Sequence, residues 1–116
     1  MRKTILIIED EEDLRTCLKN ILTAKKCHVL EAANGAEALI ILQTQHVDAI
    51  LTDIDMPVKN GLEFLKEFRA SNHTTPVIVM SGRLNCSEEE LIQLGAVMFM
   101  QKPDINLTSI LSVMAA

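Results

Sequence analysis

The chain has 116 residues, of which 48% are hydrophobic and 23% charged, with a formal net charge of −5. These proportions are typical of one globular domain and exclude intrinsic disorder as the main state. The acidic charge and the aromatic content of only 3% argue against direct nucleic-acid binding. No apolar run approaches the ~20 residues of a membrane span, and the amino terminus lacks the apolar length of a secretory signal. We therefore expect a cytoplasmic protein without membrane contact.

Five short apolar runs predict five strands, and the first is a continuous β-branched and Leu run, as expected for a strand buried on both faces. In chain order they are Thr4–Ile8, His28–Ala32, Ala49–Thr52, Val77–Met80 and Val97–Met100.

Helical periodicity follows each predicted strand. The first helix carries apolar residues at the spacing of one buried face, namely Leu14, Cys17, Leu18, Ile21 and Leu22. Asn34-Gly35 marks a break before the second helix, and Asn60-Gly61 marks a loop before the third. Ser87 predicts the cap of the fourth helix, in a capping box with Glu90, and Gly95 predicts its end. The last helix is lined by Leu107, Ile110, Leu111 and Met114.

Strands that alternate with helices predict right-handed crossovers and a parallel sheet covered on both faces. Ligands of such sheets bind beyond the carboxyl ends of the strands. The chemically active residues that follow the strands are Glu9, Asp10, Asp53, Asp55, Ser81 and Lys102. Carboxylates brought together from separate segments repel one another, and a hard cation such as Mg²⁺ relieves that repulsion.

A carboxylate cluster with Mg²⁺ and a lysine is suited to phosphoryl transfer, because the cations neutralise charge on the transferred group. One carboxylate can act as the nucleophile and form an acyl phosphate. No Gly-rich phosphate loop follows the first strand. The sequence therefore indicates that the chain receives its phosphoryl group from a donor brought by another protein.

Four segments, found in order at the strand ends, resemble the receiver domains of two-component response regulators. They are ILIIEDEEDLR, LTDIDMPVKNGLEFL, VIVMSG and GAVMFMQKP. The resemblance covers nearly the whole chain. It implies one receiver domain over residues 1–116, with a flavodoxin-like α/β fold: a doubly wound five-stranded parallel sheet of order 2-1-3-4-5 with five helices.

The resemblance also implies signalling by phosphorylation, without turnover of a separate substrate. Asp53 is then the expected phosphoacceptor. A histidine kinase or a histidine phosphotransfer protein is the expected donor of the phosphoryl group. The expected Mg²⁺ ligands are Asp10, Asp53 and the backbone carbonyl of Asp55, with Glu9 acting mainly through water. Lys102 is expected to pair with the phosphoryl oxygens and to precede a cis bond to Pro103.

The same resemblance implies an output switch. Ser81 would move to the phosphoryl group, and Phe99 would change rotamer in response. The switch would alter the face made by helix four, strand five and helix five, which we expect to be apolar through Met98, Met100 and Met114. An output partner of unspecified identity, or a second copy of the chain, could bind this face.

Some positions depart from the family's commonest pattern. Glu9 stands where Asp is more frequent, Phe99 where Tyr is frequent, and Asp104 where an apolar residue is frequent. Strand five carries no charge, which argues against a homodimer held by charged pairs. Ile40 and Ile41 on the second helix are expected to face outward, either as isolated exposed residues or as a partner contact.

Three other functions remain open at this point. Asp53-Ile54-Asp55 fits the D-x-D signature of haloacid dehalogenase-like phosphatases, although it follows the third strand and lacks the later acidic pair. A receiver-like module that binds partners without phosphorylation is the second. A flavodoxin-like electron carrier shares the architecture but favours a hydroxyl-rich loop after the first strand, where this chain has EDEE.

The chain has three cysteines, Cys17, Cys27 and Cys86, and none of them forms a C-x-x-C pair. An odd number without metal-ligand spacing argues against a disulfide framework or a zinc site. We expect buried or half-buried thiols in a reducing compartment.

Overall fold

The computed structural model describes residues 2–56, 58–71, 73–82, 88–102 and 105–115. Strands and helices alternate along these residues. The strands are β1 (Thr4–Ile8), β2 (His28–Ala32), β3 (Ala49–Asp53), β4 (Val77–Ser81) and β5 (Met98–Gln101). The helices are α1 (Glu12–Ala24), α2 (Gly35–Leu42), α3 (Gly61–Ala70), α4 (Glu88–Gln93) and α5 (Leu107–Ala115). None of the helices in the described part has the length and apolar character that crossing a bilayer requires.

The five strands form one parallel sheet in the order β2-β1-β3-β4-β5, which confirms the predicted fold. The direction in which strands are added reverses between β1 and β3, and ligands of open α/β sheets bind at such a switch point. The carboxyl ends of β1, β3, β4 and β5 therefore converge on one edge of the sheet.

The strand boundaries differ from the prediction at the carboxyl edge. Asp53 and Ser81 are the last residues of β3 and β4, whereas both were predicted to follow their strands. Strand β5 runs from Met98 to Gln101 instead of starting at Val97. The ladder is made by backbone groups, so it continues through polar residues: Lys102 N donates to Ser81 O at 2.8 Å. Functional side chains thus sit on the sheet itself.

The sheet separates two apolar clusters, because successive side chains of a strand point to opposite faces. Leu6, Ile50 and Val79 face α2, α3 and α4. Ile5, Leu51 and Met80 face α1 and α5. All six are at most 1% exposed, as expected for a parallel sheet covered on both sides.

The buried face of α1 is narrower than its sequence predicts. Of the five predicted residues only Leu18 and Leu22 are buried, while Ile21 is 41% exposed and Cys17 is exposed. An open groove of about 200 Å³ between α1 and α5 leaves these side chains uncovered. The expectation of a buried or half-buried thiol is therefore wrong for Cys17. It is right for Cys27, which is 5% exposed.

Two more expectations about apolar surfaces need correction. Met100 and Met114 are only 5% and 4% exposed, so they belong to the core and do not make the face near β5 apolar. On α2, Ile40 is 65% exposed as expected, but Ile41 is half-buried against the core. Ile41 lies three residues after the buried Ala38 and therefore shares its helix face. The predicted Ser87 cap and Cys86 lie outside the described residues.

The start of α3 is built against the end of β3. Asn60 caps the helix by accepting from Glu63 N at 2.9 Å, and the Glu63 carboxylate accepts from Asn60 N in return. Gly61 is the first helical residue, and its N–H donates to Ile54 O at 2.9 Å. A Cβ at Gly61 would overlap the Asp53 carbonyl oxygen and lie 2.9 Å from Ile54 Cα. Glycine therefore permits the close approach of α3 to the site.

Replacing Gly61 with alanine is expected to lower the free energy of unfolding by about 2–3 kcal/mol, because backbone atoms of β3 must move to admit the methyl group. Urea denaturation measures the change. The matched control is Gly82→Ala, where an added Cβ meets nothing within 4 Å and a change within about 0.5 kcal/mol is expected. Equal effects of the two substitutions would contradict this account of the α3 packing.

Candidate functional site

Glu9, Asp53 and Lys102 continue the side-chain alternation of β1, β3 and β5 at the carboxyl edge. Each falls two residues after a side chain of the cluster that faces α1 and α5. The pleat therefore directs all three side chains to the same face of the sheet. Residues far apart in the sequence are thereby brought together at one point.

A buried charge network joins these three residues. Lys102 Nζ donates to Glu9 Oε2 and to Asp53 Oδ2, each at 2.9 Å. Glu9 is 1% exposed and Asp53 is 4% exposed. The ammonium thus pairs with both buried carboxylates and offsets part of their charge.

Asp10 completes an acidic cluster with Glu9 and Asp53. One carboxylate oxygen from each of the three lies within 4.8 Å of the others. Asp10 is exposed while the other two are buried, so the cluster opens to solvent on one side. Mg²⁺ binds carboxylate oxygens and retains several waters, and an acidic cluster that is open to solvent on one side can supply both.

The turn after β3 places Asp55 beside the carboxylate of Asp53. Asp55 N donates to Asp53 Oδ1 at 3.3 Å, while the other oxygen of Asp53 accepts from Lys102. Both carboxylate oxygens of Asp53 are thus oriented by neighbouring groups.

Ser81 and Phe99 lie on the other side of the pleat. Phe99 pairs with Val79 in the sheet register and packs against the cluster that faces α2, α3 and α4. Ser81 follows Val79 by two residues, so it points to the same face as Phe99. Ser81 is fully buried, and Phe99 is half-buried. The structure places both near the carboxyl edge, on neighbouring strands.

Sequence reasoning missed Arg15 as a component of the site. Its Nη1 donates to the Glu9 carbonyl at 2.8 Å, and its Nε lies 3.4 Å from Glu31 Oε1. Arg15 therefore ties α1 to the segment that carries Glu9 and Asp10. Its place near the start of α1 was the available signal, but nothing in the sequence shows which carbonyl it reaches.

Burial sets the electrostatics of the network. Loss of solvation raises the pKa of the Glu9 carboxyl from 4.5 to about 7; the hydrogen bond from Lys102 opposes this shift and the Asp53 charge adds to it. Burial by itself lowers the pKa of Lys102, but its hydrogen bonds to Asp53 and Glu9 outweigh burial and the net direction is upward. Lys102 is therefore held as an ammonium.

A model of the response regulator receiver domain matches residues 5–113. The chain belongs to this family. It is a receiver domain of the two-component type, a signalling domain that works by phosphorylation, which confirms the resemblance drawn from the four segments. The match favours signalling over the phosphatase and electron-carrier alternatives.

This receiver domain covers different shares of the length of its relatives. The transcriptional regulatory protein CpxR of Klebsiella pneumoniae is 39% identical over 100 residues, covering 85% of this chain and 42% of that protein. The sporulation initiation phosphotransferase F of Bacillus subtilis is 31% identical over 105 residues, covering 89% and 84%. This chain thus spans less than half of CpxR but most of the phosphotransferase.

Solved receiver structures share the fold. The response regulator TrrA of Thermotoga maritima, determined in complex with Mg²⁺ and BeF, superposes with a TM-score of 0.83 at 27% identity, covering 96% of each chain. The bond before Pro103, predicted to be cis, and Asp104 lie outside the described residues.

The raised pKa of Glu9 predicts that metal-free receiver domain loses stability as pH rises. Between about pH 4.5 and 7 the unfolded chain releases the Glu9 proton before the folded chain does, so the free energy of unfolding falls by up to about 3 kcal/mol. Glu9→Gln removes the titrating carboxyl and therefore removes this pH-dependent part of the free energy of unfolding.

Urea denaturation of both proteins in the same chelator-containing buffers measures the difference, and the other titrating groups largely cancel. The free energy of unfolding of Glu9→Gln should rise relative to that of the native protein as pH increases through this window. A difference that is independent of pH would contradict the prediction.

Proposed function

We propose that this chain acts as one receiver domain over residues 1–116 and accepts a phosphoryl group on Asp53. The observation that carries the proposal is the Asp53 carboxylate, buried at the end of β3 and 2.9 Å from the Lys102 ammonium. A carboxylate can attack phosphorus and form an acyl phosphate. The adjacent ammonium is placed to offset the charge on the phosphoryl oxygens.

The donor in this proposal is a phosphohistidine on a histidine kinase or a histidine phosphotransfer protein. A carboxylate oxygen of Asp53 forms the new bond to phosphorus as the bond from phosphorus to the imidazole nitrogen breaks. The relative named as a sporulation initiation phosphotransferase supports phosphotransfer in this family. The chain assists its own phosphorylation and dephosphorylation in this proposal and turns over no separate substrate.

The acidic cluster is the proposed Mg²⁺ site. Asp10, Asp53 and the backbone carbonyl of Asp55 would hold the ion directly. Glu9 would contribute mainly through water, as the family resemblance implies. When bound, Mg²⁺ supplies positive charge that stabilises the transferred phosphoryl group. The 4.8 Å cluster and the Mg²⁺-containing TrrA complex support this assignment.

The proposed output uses Ser81 and Phe99. Ser81 would shift to hydrogen-bond the phosphoryl group, and the half-buried Phe99 would repack on the same face of the sheet. Ile92 on α4 and Val97 before β5 are each 50% exposed, so they provide the apolar surface that was expected from the methionines. An output partner, or a second copy of the chain, would bind there.

Incubation with acetyl phosphate and Mg²⁺ is expected to add one phosphoryl group to the chain, measured by intact mass. Asp53→Asn should abolish the addition, because an amide is a poor nucleophile. Asp13→Asn is the matched control, since Asp13 is an exposed acid in the first turn of α1. Equal labelling of the native protein and Asp53→Asn would contradict the assignment.

The same assay tests the cation. Chelator should suppress labelling, and Asp10→Ala should require far more Mg²⁺ than the native protein while the Asp13→Asn control stays unchanged. Labelling that persists in chelator would remove Mg²⁺ from the proposal and leave the phosphoacceptor assignment standing.

Beryllofluoride with Mg²⁺ is expected to change the NMR shifts most around Ser81–Ser87 and Val97–Lys102. The physical reason is that a buried serine and a packed phenylalanine must move together. Ser81→Ala should shrink the changes at Phe99 while those near Asp53 persist. Changes confined to residues 9–13 and 53–55 would show that the signal leaves by another route, with the exposed Ile40 on α2 as the next candidate.

A further inference from the structure

A cavity of about 320 Å³ opens at the amino ends of β1 and β2, at the edge of the sheet opposite Asp53. Four cationic side chains line it: Arg2, Lys3, Lys25 and Lys26. They come from two segments, the start of β1 and the turn after α1, which a hydrogen bond from His28 N to Lys3 O joins at 2.8 Å. This cavity with its four cations is termed the basic pocket.

The cations of the basic pocket are exposed and unpaired, in contrast to most others in the described residues. None of the four lies within ion-pair distance of a carboxylate that the structure describes. Elsewhere Arg15, Lys19, Lys59 and Lys102 pair with carboxylates, and Arg69 donates to backbone carbonyls. In a chain of net charge −5, the basic pocket concentrates uncompensated positive charge.

The remaining lining of the basic pocket is apolar. Cys27, Leu111 and Met114 contribute to it, and Cys27 and Met114 are 5% and 4% exposed. An apolar base surrounded by solvated charges is the organisation of a small protein–protein interface, where a buried side chain supplies contact area and the rim supplies orientation.

We propose that the basic pocket binds an acidic peptide segment of a partner protein, with one aliphatic side chain against Leu111 and Met114 and flanking carboxylates on the lysines. Charge complementarity selects this occupant. Only aliphatic and thiol groups form the base of the pocket, so a nucleic-acid base finds no aromatic surface on which to stack.

The position of the basic pocket separates this binding from the phosphoryl chemistry. Strand β1 spans five residues between the basic pocket and Glu9, a distance of about 16 Å at ~3.3 Å per residue. The proposal therefore does not depend on the proposed phosphorylation and is testable on the Asp53→Asn variant as well as on the native chain.

The first test uses a fluorescein-labelled peptide, Glu-Asp-Leu-Asp-Glu, titrated with the native protein at low salt. Binding should weaken as salt is raised. It should also weaken when the acids are replaced by Gln and Asn, and when Leu is replaced by Gly. Amide shifts of the native protein should map to Lys3, Cys27 and His28. A peptide that binds equally without its acids, or that shifts residues outside this edge, would overturn the proposal.

Charge reversal supplies the decisive comparison. Lys25→Glu should raise the Kd for the peptide about tenfold, a loss of about 1.4 kcal/mol. Lys66→Glu is the matched control, because Lys66 is another exposed lysine without an ion-pair partner among the described residues, and its Kd should change at most about twofold. Equal weakening of peptide binding by both substitutions would show that the change in net charge alone causes the effect. It would refute a specific binding site at the basic pocket.

Vesicles containing phosphatidylserine, and a single-stranded oligonucleotide, are the competing probes. Binding of either one with the same Lys25 dependence, together with no binding of the acidic peptide, would overturn the choice of occupant. A far-ultraviolet circular dichroism spectrum of Lys25→Glu that matches the spectrum of the native protein would show that the variant is folded.

Discussion

The rest of the site depends on one buried ammonium. Lys102 Nζ lies 2.9 Å from carboxylates of two other strands, and each of these carboxylates is at most 4% exposed. Removing this ammonium would leave two buried carboxylates without a compensating charge, which costs far more than an exposed pair is worth. The interaction exists only while β1, β3 and β5 end at the same edge, so the geometry of the site and the integrity of the sheet are coupled.

The pleat of the sheet divides the site between two faces. The side chains of Asp53, Glu9 and Lys102 point to the face covered by α1 and α5, whereas those of Ser81 and Phe99 point to the face covered by α2, α3 and α4. Because both apolar layers are closely packed, a shift at the strand ends is not absorbed locally. In the proposed switch, a change at the carboxylate side reaches the opposite helices by way of the strand ends.

Charge is separated along the strands. The carboxyl edge carries the acidic cluster, and the amino edge carries the unpaired cations of the basic pocket. The two edges are about one strand length apart, beyond the Debye length of about 8 Å at physiological salt. Partners at the two edges would therefore bind with little electrostatic interference.

The order of the elements, the parallel sheet and the residues at its carboxyl edge were all predictable from patterns along the chain. Apolar runs of strand length, alternating with helical periodicity, leave few topologies once right-handed crossovers are required. Short motifs at the strand ends then identified Glu9, Asp10, Asp53 and Lys102 as neighbours. These inferences rest on local patterns, which a single chain displays directly.

The packing of whole elements determines which apolar residues are covered and which backbone groups hold the site, and neither was predictable from local patterns. Met100 is buried and Cys17 is exposed because neighbouring helices, which are distant in sequence, cover one and leave the other open. Arg15 reaches the Glu9 carbonyl, and α3 approaches β3 through Gly61. These contacts depend on how whole elements pack, and periodicity along one element specifies a face without specifying what lies against it.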